Sequence, residues 1–272
     1  MGLIQHKREA YWFYRFLSLG YDRWVNPLFW TAPMRERALA VARLDDPDLE
    51  TLDAGAGTGF TTEGIVARVA PARVTMLDQS PHQLEQARRK PELADCRKLL
   101  GDAEHLPFGD DSFDRYVSAG SIEYWPDPQR GIAEAYRVLR PGGIGTVIGP
   151  VQPANPVLRR LSETWMLFPT EQQYRDWFTA AGFTDVRVLP VAPSWYRGRS
   201  TYGISIAGTK PVAGKSPEHG RTGGTPFEAL EQPLTASERL RSTGRFVAGS
   251  AAGAAFVPIG AALSLRERLS RR

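Results

Sequence analysis

The run Asp53-Ala54-Gly55-Ala56-Gly57-Thr58-Gly59 follows the apolar Leu52. Glycines at every second position leave a turn without side chains, through which a backbone can approach a ligand closely. A nicotinamide dinucleotide is the obvious rival occupant of such a turn. Asp53 separates the two cases, because a carboxylate just before the turn repels a pyrophosphate and suits an ammonium group. Asp78 stands about twenty residues on, where an acid accepts hydrogen bonds from both hydroxyls of a ribose. Gly101-Asp102-Ala103-Glu104 adds an acceptor for an adenine amino group and a backbone N–H for a ring nitrogen. An ammonium, a ribose and an adenine together describe S-adenosyl-L-methionine. The expected cofactor contacts are Asp53, Gly55, Gly57, Gly59, Asp78, Gln79, Asp102, Ala103 and Ser118. Each acid alone is more often a solvated strand end; three at successive strand ends beside a glycine turn make a site.

Those residues need a scaffold that brings successive strand ends to one edge. From about residue 49 to 149, short apolar runs alternate with helical stretches: LETLDA, 59–69, VTMLD, 81–90, CRKLLGD, FDRYVSA, 128–139 and IGTVIG. This rhythm predicts βαβ units and a mostly parallel sheet covered by helices on both faces. A helix over 170–181 stops at Gly182, and VRVLPV and YGISIAG supply closing strands. The fold class is therefore α/β, a Rossmann-like class I methyltransferase with seven strands. An aromatic-rich helix over 3–24 and a second over about 33–43 precede it. Residues 1–45 read as a helical cap facing substrate or membrane, 46–209 as the cofactor-binding domain, and 210–245 as a Pro/Gly/Ser/Thr-rich linker. Residues 246–265 form a C-terminal hydrophobic helix, uncharged over twenty positions between Arg245 and Arg266, which is long enough for a membrane anchor although rich in Ala and Gly.

With 272 residues, 42% hydrophobic and 24% charged, the chain can bury a conventional core and is not a disordered protein. Cys96 is its single cysteine, so no disulfide or cysteine cluster for zinc can form, and no metal is expected. The formal charge of +4 sits in the tail, where residues 237–272 carry seven arginines against Glu238 and Glu267. The rest is nearly neutral, and no nucleic-acid-binding pattern accompanies the tail, so no nucleic-acid partner is expected. His6, Lys7, Arg8 and Glu9 interrupt any secretory signal at the amino end.

Longer segments carry a resemblance. IQHKREAYWFYRFLSLGYD, LDQSPHQLEQAR, GDAEHLPF, DRYVSAGSIEYWPDPQRGIAEAYRVLRPGG, IGPVQP, WMLFPTEQQYRDWF and WYRG, spread from about Ile4 to Gly208, resemble the plastid methyl-phytyl/methyl-solanesyl-benzoquinol methyltransferase family. The resemblance implies C-methylation of a prenylated benzoquinol on the route to plastoquinone and tocopherol, and an anchor near the C-terminus. No transit peptide precedes the matching region, so the expectation is a membrane-associated prokaryotic homologue facing the cytoplasm, or a plastid envelope protein if the source is a plant.

Carbon methylation of a hydroquinone needs a base for the phenol proton. Glu123, with Tyr124 beside it just past the fourth strand, is the expected base, and could equally be a structural acceptor. His6, at the start of the aromatic helix, is a further candidate, whereas His82 and His219 are expected in solvent. Trp125, Trp165, Trp195 and Tyr196 are placed near the mouth, where rings could receive a quinol or a prenyl tail; core packing is the default for any one of them. Two rival functions stay open: a methyltransferase of another small lipid or quinone, and a membrane-tethered scaffold that binds the cofactor without turnover.

Overall fold

The computed structural model describes residues 30–196, 198 and 200–218, with isolated positions at 243, 244, 247, 258 and 262. The aromatic helix expected at 3–24, His6, His219, most of the linker, all but three positions of 246–265 and the side chain of Trp165 lie outside the described residues.

Seven strands form one sheet: β1 (Thr51–Ala54), β2 (Val74–Asp78), β3 (Arg97–Leu100), β4 (Phe113–Ala119), β5 (Leu139–Pro150), β6 (Thr184–Val191) and β7 (Gly203–Thr209). Their order is β3-β2-β1-β4-β5-β7-β6. β1 to β5 are parallel, and β7 runs against both β5 and β6. The carboxyl ends of β1 to β6 therefore share one edge, and the start of β7 joins them there. The order reverses at β1, where the chain turns from β3 on one side to β4 on the other, and such a switch point opens a crevice for ligands.

Helices α1 (Ala32–Leu39), α2 (Phe60–Val66), α3 (Pro81–Arg88), α4 (Pro128–Val138), α5 (Pro156–Trp165) and α6 (Glu171–Ala181) cover the sheet. α1, α2 and α3 pack one face, where Met34, Leu39, Ile65, Leu84 and Ala87 meet Val74, Met76, Val117 and Ile148. α4 and α6 pack the other, where Ile132, Tyr136, Tyr174 and Phe178 meet Leu52, Leu77, Tyr116 and Val147. Both faces being covered by helices, β1 is buried at all four positions rather than at alternate ones.

Local signals start and stop these helices. The side chains of Thr31, Ser80, Asp127 and Asn155 accept backbone N–H groups at the first turns of α1, α3, α4 and α5, with proline at the first positions of each. Thr170 and Gln173 form a reciprocal capping box on α6, which ends at Gly182 with φ of 98°. The sequence reading assigned no element to 156–165; the structure places α5 there, started by Asn155 and Pro156.

The domain continues past residue 209. Lys210, at the start of the expected linker, is buried, and its ammonium donates to Asp111 Oδ1 at 2.7 Å and to the carbonyls of Gly214 and Arg137. No helix among the described residues is long and apolar enough to cross a membrane.

Candidate active site

The glycine turn leaves β1 and enters α2 with Gly55, Gly57 and Gly59 at φ of 74°, 56° and 87°. Those left-handed angles strain any residue with a Cβ. The expected reason for the glycines was ligand approach, and the structure adds a second one. A Cβ on Gly59 would stand 2.3 Å from Leu93 Cδ1, and one on Gly55 would stand 2.2 Å from Ser121 Oγ. Two of the three glycines are thus required by the protein's own packing.

Asp78 holds the turn from β2. Its Oδ2 accepts the Gly57 N–H and its Oδ1 the Ser80 N–H, both at 2.8 Å. Each carboxylate oxygen has a second lone pair, so Asp78 can still accept from a ribose hydroxyl. Burial pushes its carboxyl up to about 6, against the pull of those two N–H groups. Gln79 next to it is half-buried.

Asp53 is fully buried near the end of β1. Its Oδ2 accepts from the Thr62 hydroxyl at 2.6 Å, while Oδ1 meets no hydrogen-bond partner among the described residues. Burial raises the carboxyl to about 7; the Thr62 bond opposes this and the Asp78 charge adds to it. A buried carboxylate oxygen without a partner costs free energy that a cation would recover, because an opposite charge within a few ångströms favours the ionised form. Ser118 Oγ, on β4 beside Gly55, is also buried without a partner at bonding distance, with the Tyr116 phenol as its polar neighbour.

Asp102 follows β3. Asp78 pairs with Leu100 in the β2–β3 register, so the three acids step across adjacent strands, which lie roughly 4.8 Å apart. Asp102 Oδ1 accepts the Glu104 N–H at 2.9 Å, and Oδ2 lies 3.2 Å from His105 Nδ1. Ala103 is buried between them. Glu104 reaches across to accept the Asp127 N–H at 2.6 Å, fastening this turn to the start of α4.

On the other side of β1, the chain leaves β4 and makes a single 3-10 turn, Ile122–Tyr124. Glu123 is buried there, and its Oε2 has no partner among the described residues. Burial lifts its carboxyl to about 7. Tyr124 is half-buried. Tyr174 of α6, which the sequence reading passed over, is fully buried close enough to Glu123 to feel its charge, and donates to the Pro150 carbonyl at 3.1 Å. Gly149 lies under it, since a Cβ there would stand 2.3 Å from the Tyr174 oxygen. The only sequence signal for Tyr174 is its apolar position on an amphipathic helix.

For Trp125 the structure bears out the default of core packing over a role at the mouth. It is a core residue, buried against Gly131, with Nε1 donating to Ser121 Oγ at 2.9 Å. Trp195 and Tyr196 lie in the β6–β7 connection at the carboxyl edge of the sheet, as expected, and Tyr202 joins them.

Orphaned Asp53 Oδ1, the glycine turn and the acids of β2 and β3 fit S-adenosyl-L-methionine; among the described residues no group of acids, histidines and cysteine could hold a metal. Residues 52–147 match the family model described as a methyltransferase domain. Among curated relatives, the chain is 52% identical over 260 residues to the chloroplastic 2-methyl-6-phytyl-1,4-hydroquinone methyltransferase of Arabidopsis thaliana, covering 94% of this chain and 75% of that one. It is 57% identical over 218 residues to the second such enzyme of Oryza sativa subsp. japonica, covering 79% of this chain and 63% of the relative's length. A crystal structure of a SAM-dependent methyltransferase from Thermotoga maritima superposes with a TM-score of 0.56 at 22% identity, over 74% of this chain and 99% of that one, which is a likeness of fold. The chain belongs to the 2-methyl-6-phytyl-1,4-hydroquinone methyltransferase family and is an S-adenosyl-L-methionine-dependent methyltransferase.

Proposed function

We propose that this chain methylates a ring carbon of a prenylated benzoquinol at a membrane surface, with Glu123 taking the phenol proton. The observation that carries the reading is Glu123 itself: a buried carboxyl, one oxygen unpartnered among the described residues, on the turn just past β4. The acceptor class rests on relatives named as methyltransferases of a phytyl hydroquinone.

S-adenosyl-L-methionine, when bound, supplies the electrophilic methyl group. Asp53 and the glycine turn hold the cofactor's methionine end, Asp78 with Gln79 its ribose, and Asp102 with Ala103 its adenine; Ser118 supports the loop side. A hydroquinone carbon turns nucleophilic as its neighbouring phenol loses a proton. A free phenol keeps that proton to about pH 10, whereas Glu123 exchanges one near 7, so it can receive the proton as attack proceeds and shed it at neutral pH. The remaining contribution of the protein is positioning, and a rigid ring beside a fixed carboxyl meets that need. The membrane surface is supported by the apolar tail of such an acceptor and by the uncharged stretch 246–265 between arginines.

Incubation of the full chain in detergent with methyl-labelled cofactor and 2-methyl-6-phytyl-1,4-hydroquinone tests the reading. Mass-spectrometric detection of the ring-methylated product is the expected result. Label on oxygen, or none on this hydroquinone while another acceptor is methylated, would remove it.

A further inference from the structure

We infer that Trp195, Tyr196 and Tyr202 form a subsite for the isoprenoid tail of the acceptor, separate from the place at Glu123 where its ring reacts. The inference rests on the quinol reading above. The three rings touch one another, with centroids 6.0 Å apart for Trp195 and Tyr196, 5.7 Å for Trp195 and Tyr202, and 5.1 Å for Tyr196 and Tyr202. All three are half-buried.

Their place in the fold points to a ligand rather than to the core. They sit in the connection between Val191, the end of β6, and Gly203, the start of β7. β7 pairs there with the end of β5, Pro150 opposite Gly203, and the Val151 N–H donates to the Tyr202 carbonyl at 3.2 Å. The cluster therefore stands at the same edge as Asp53, Asp78 and Glu123. Glu123 follows β4, and β4, β5 and β7 are successive neighbours, so the strand that leads out of the cluster lies roughly 10 Å from the strand that leads to Glu123, two strand spacings. That is about the span from a benzoquinol ring carbon to the first units of a prenyl substituent.

Val191, Ile204 and Ile206 already fill the core at the ends of β6 and β7. Tyr202 packs on the cluster beneath α1, whereas Trp195 and Tyr196 belong to neither core cluster of the described residues. Tyr196 is nevertheless held in place: its hydroxyl donates to the Ser200 carbonyl at 3.0 Å and lies 2.7 Å from the Ser200 hydroxyl, closing the connection on itself. Ring faces clustered in this way, with the Tyr196 hydroxyl already engaged, suit a flexible hydrocarbon that has no polar group to match.

The test compares two acceptors, one bearing a phytyl tail and one bearing a single isoprene unit, in steady-state kinetics of the full chain in detergent. Trp195→Ala is expected to raise KM for the phytyl acceptor about tenfold, from loss of apolar contact. The short-tailed acceptor and the cofactor should keep their KM values. Trp195→Leu, which retains apolar volume without the ring, should move in the same direction by less, and serves if the alanine variant does not fold. Equal weakening of both acceptors, or no change with either variant, overturns the tail subsite alone. Failure of the unaltered protein to methylate either hydroquinone overturns the functional reading and this inference with it.

Discussion

Ser121 Oγ occupies the space into which a Cβ on Gly55 would project, 2.2 Å from that point, and it also accepts the Trp125 indole N–H. The turn after β1, which Asp53 precedes, and the turn after β4, which carries Glu123, are therefore packed directly on one another. Gly55→Ala should weaken cofactor binding more than tenfold in titration calorimetry, because it adds about 1–2 kcal/mol of left-handed strain to the overlap. Ser121→Gly placed in the same chain should restore part of that loss, a coupling that two unrelated defects would not show.

Glu123→Gln should abolish the rise of the reaction rate with pH around 7 and lower kcat at pH 8 while leaving cofactor affinity intact. It should also stabilise the fold at that pH. The folded carboxyl is raised to about 7 from 4.5, so its protonated form gives stability that is complete below about 4.5 and is lost as pH climbs to 7. The amide should regain up to about 3 kcal/mol at pH 8 and almost nothing at pH 4, as read by denaturant unfolding.

Cofactor affinity should fall as pH drops below 7, since Asp53 must be ionised to hold an ammonium and burial sets its titration near that value. Calorimetry in buffers of different ionisation enthalpy should detect proton release on binding at pH 6 and little at pH 8. Asp53→Asn should remove both the affinity and the pH dependence.

Lys210→Met should cost about 3 kcal/mol in unfolding experiments, because Asp111 and two backbone carbonyls lose a buried cation. Kinetics should not change. Lys210 lies beyond the end of β7 where it pairs with Ile144, six residues along β5 from Pro150, roughly 20 Å from the active edge.

The parallel half of the sheet was legible because its signals are local. An apolar run buried on both faces, a capped helix and an acid at a strand end each leave a mark within a few residues, and so Asp53, Asp78, Asp102 and Glu123 were placed at one edge without coordinates. What escaped depends on distant residues. The partner of Trp125 is one such case: core packing is its default reading, and Gly131 is the residue it packs against. Tyr174 reads as one apolar position of a helix, and only the packing of α6 over Gly149 brings it to Glu123. Gly59 reads as a ligand-facing glycine, yet Leu93, 34 residues later, is what excludes a side chain there.

The reversal of β7 has a consequence for how such an enzyme changes its acceptor. In the parallel half the chain must be carried back to the opposite edge before each new strand begins, by a helix after β1, β2 and β4 and by residues 101–112 after β3, so those connections are tied to crossover geometry. Between β6 and β7 no crossover is needed, because the antiparallel pair is joined by residues 192–202 at the rim itself. This segment can lengthen, shorten or exchange its rings while Val191 still faces Gly203 and every strand keeps its register. On the tail-subsite inference, acceptor choice can change within a strip of chain that holds none of the cofactor residues named above.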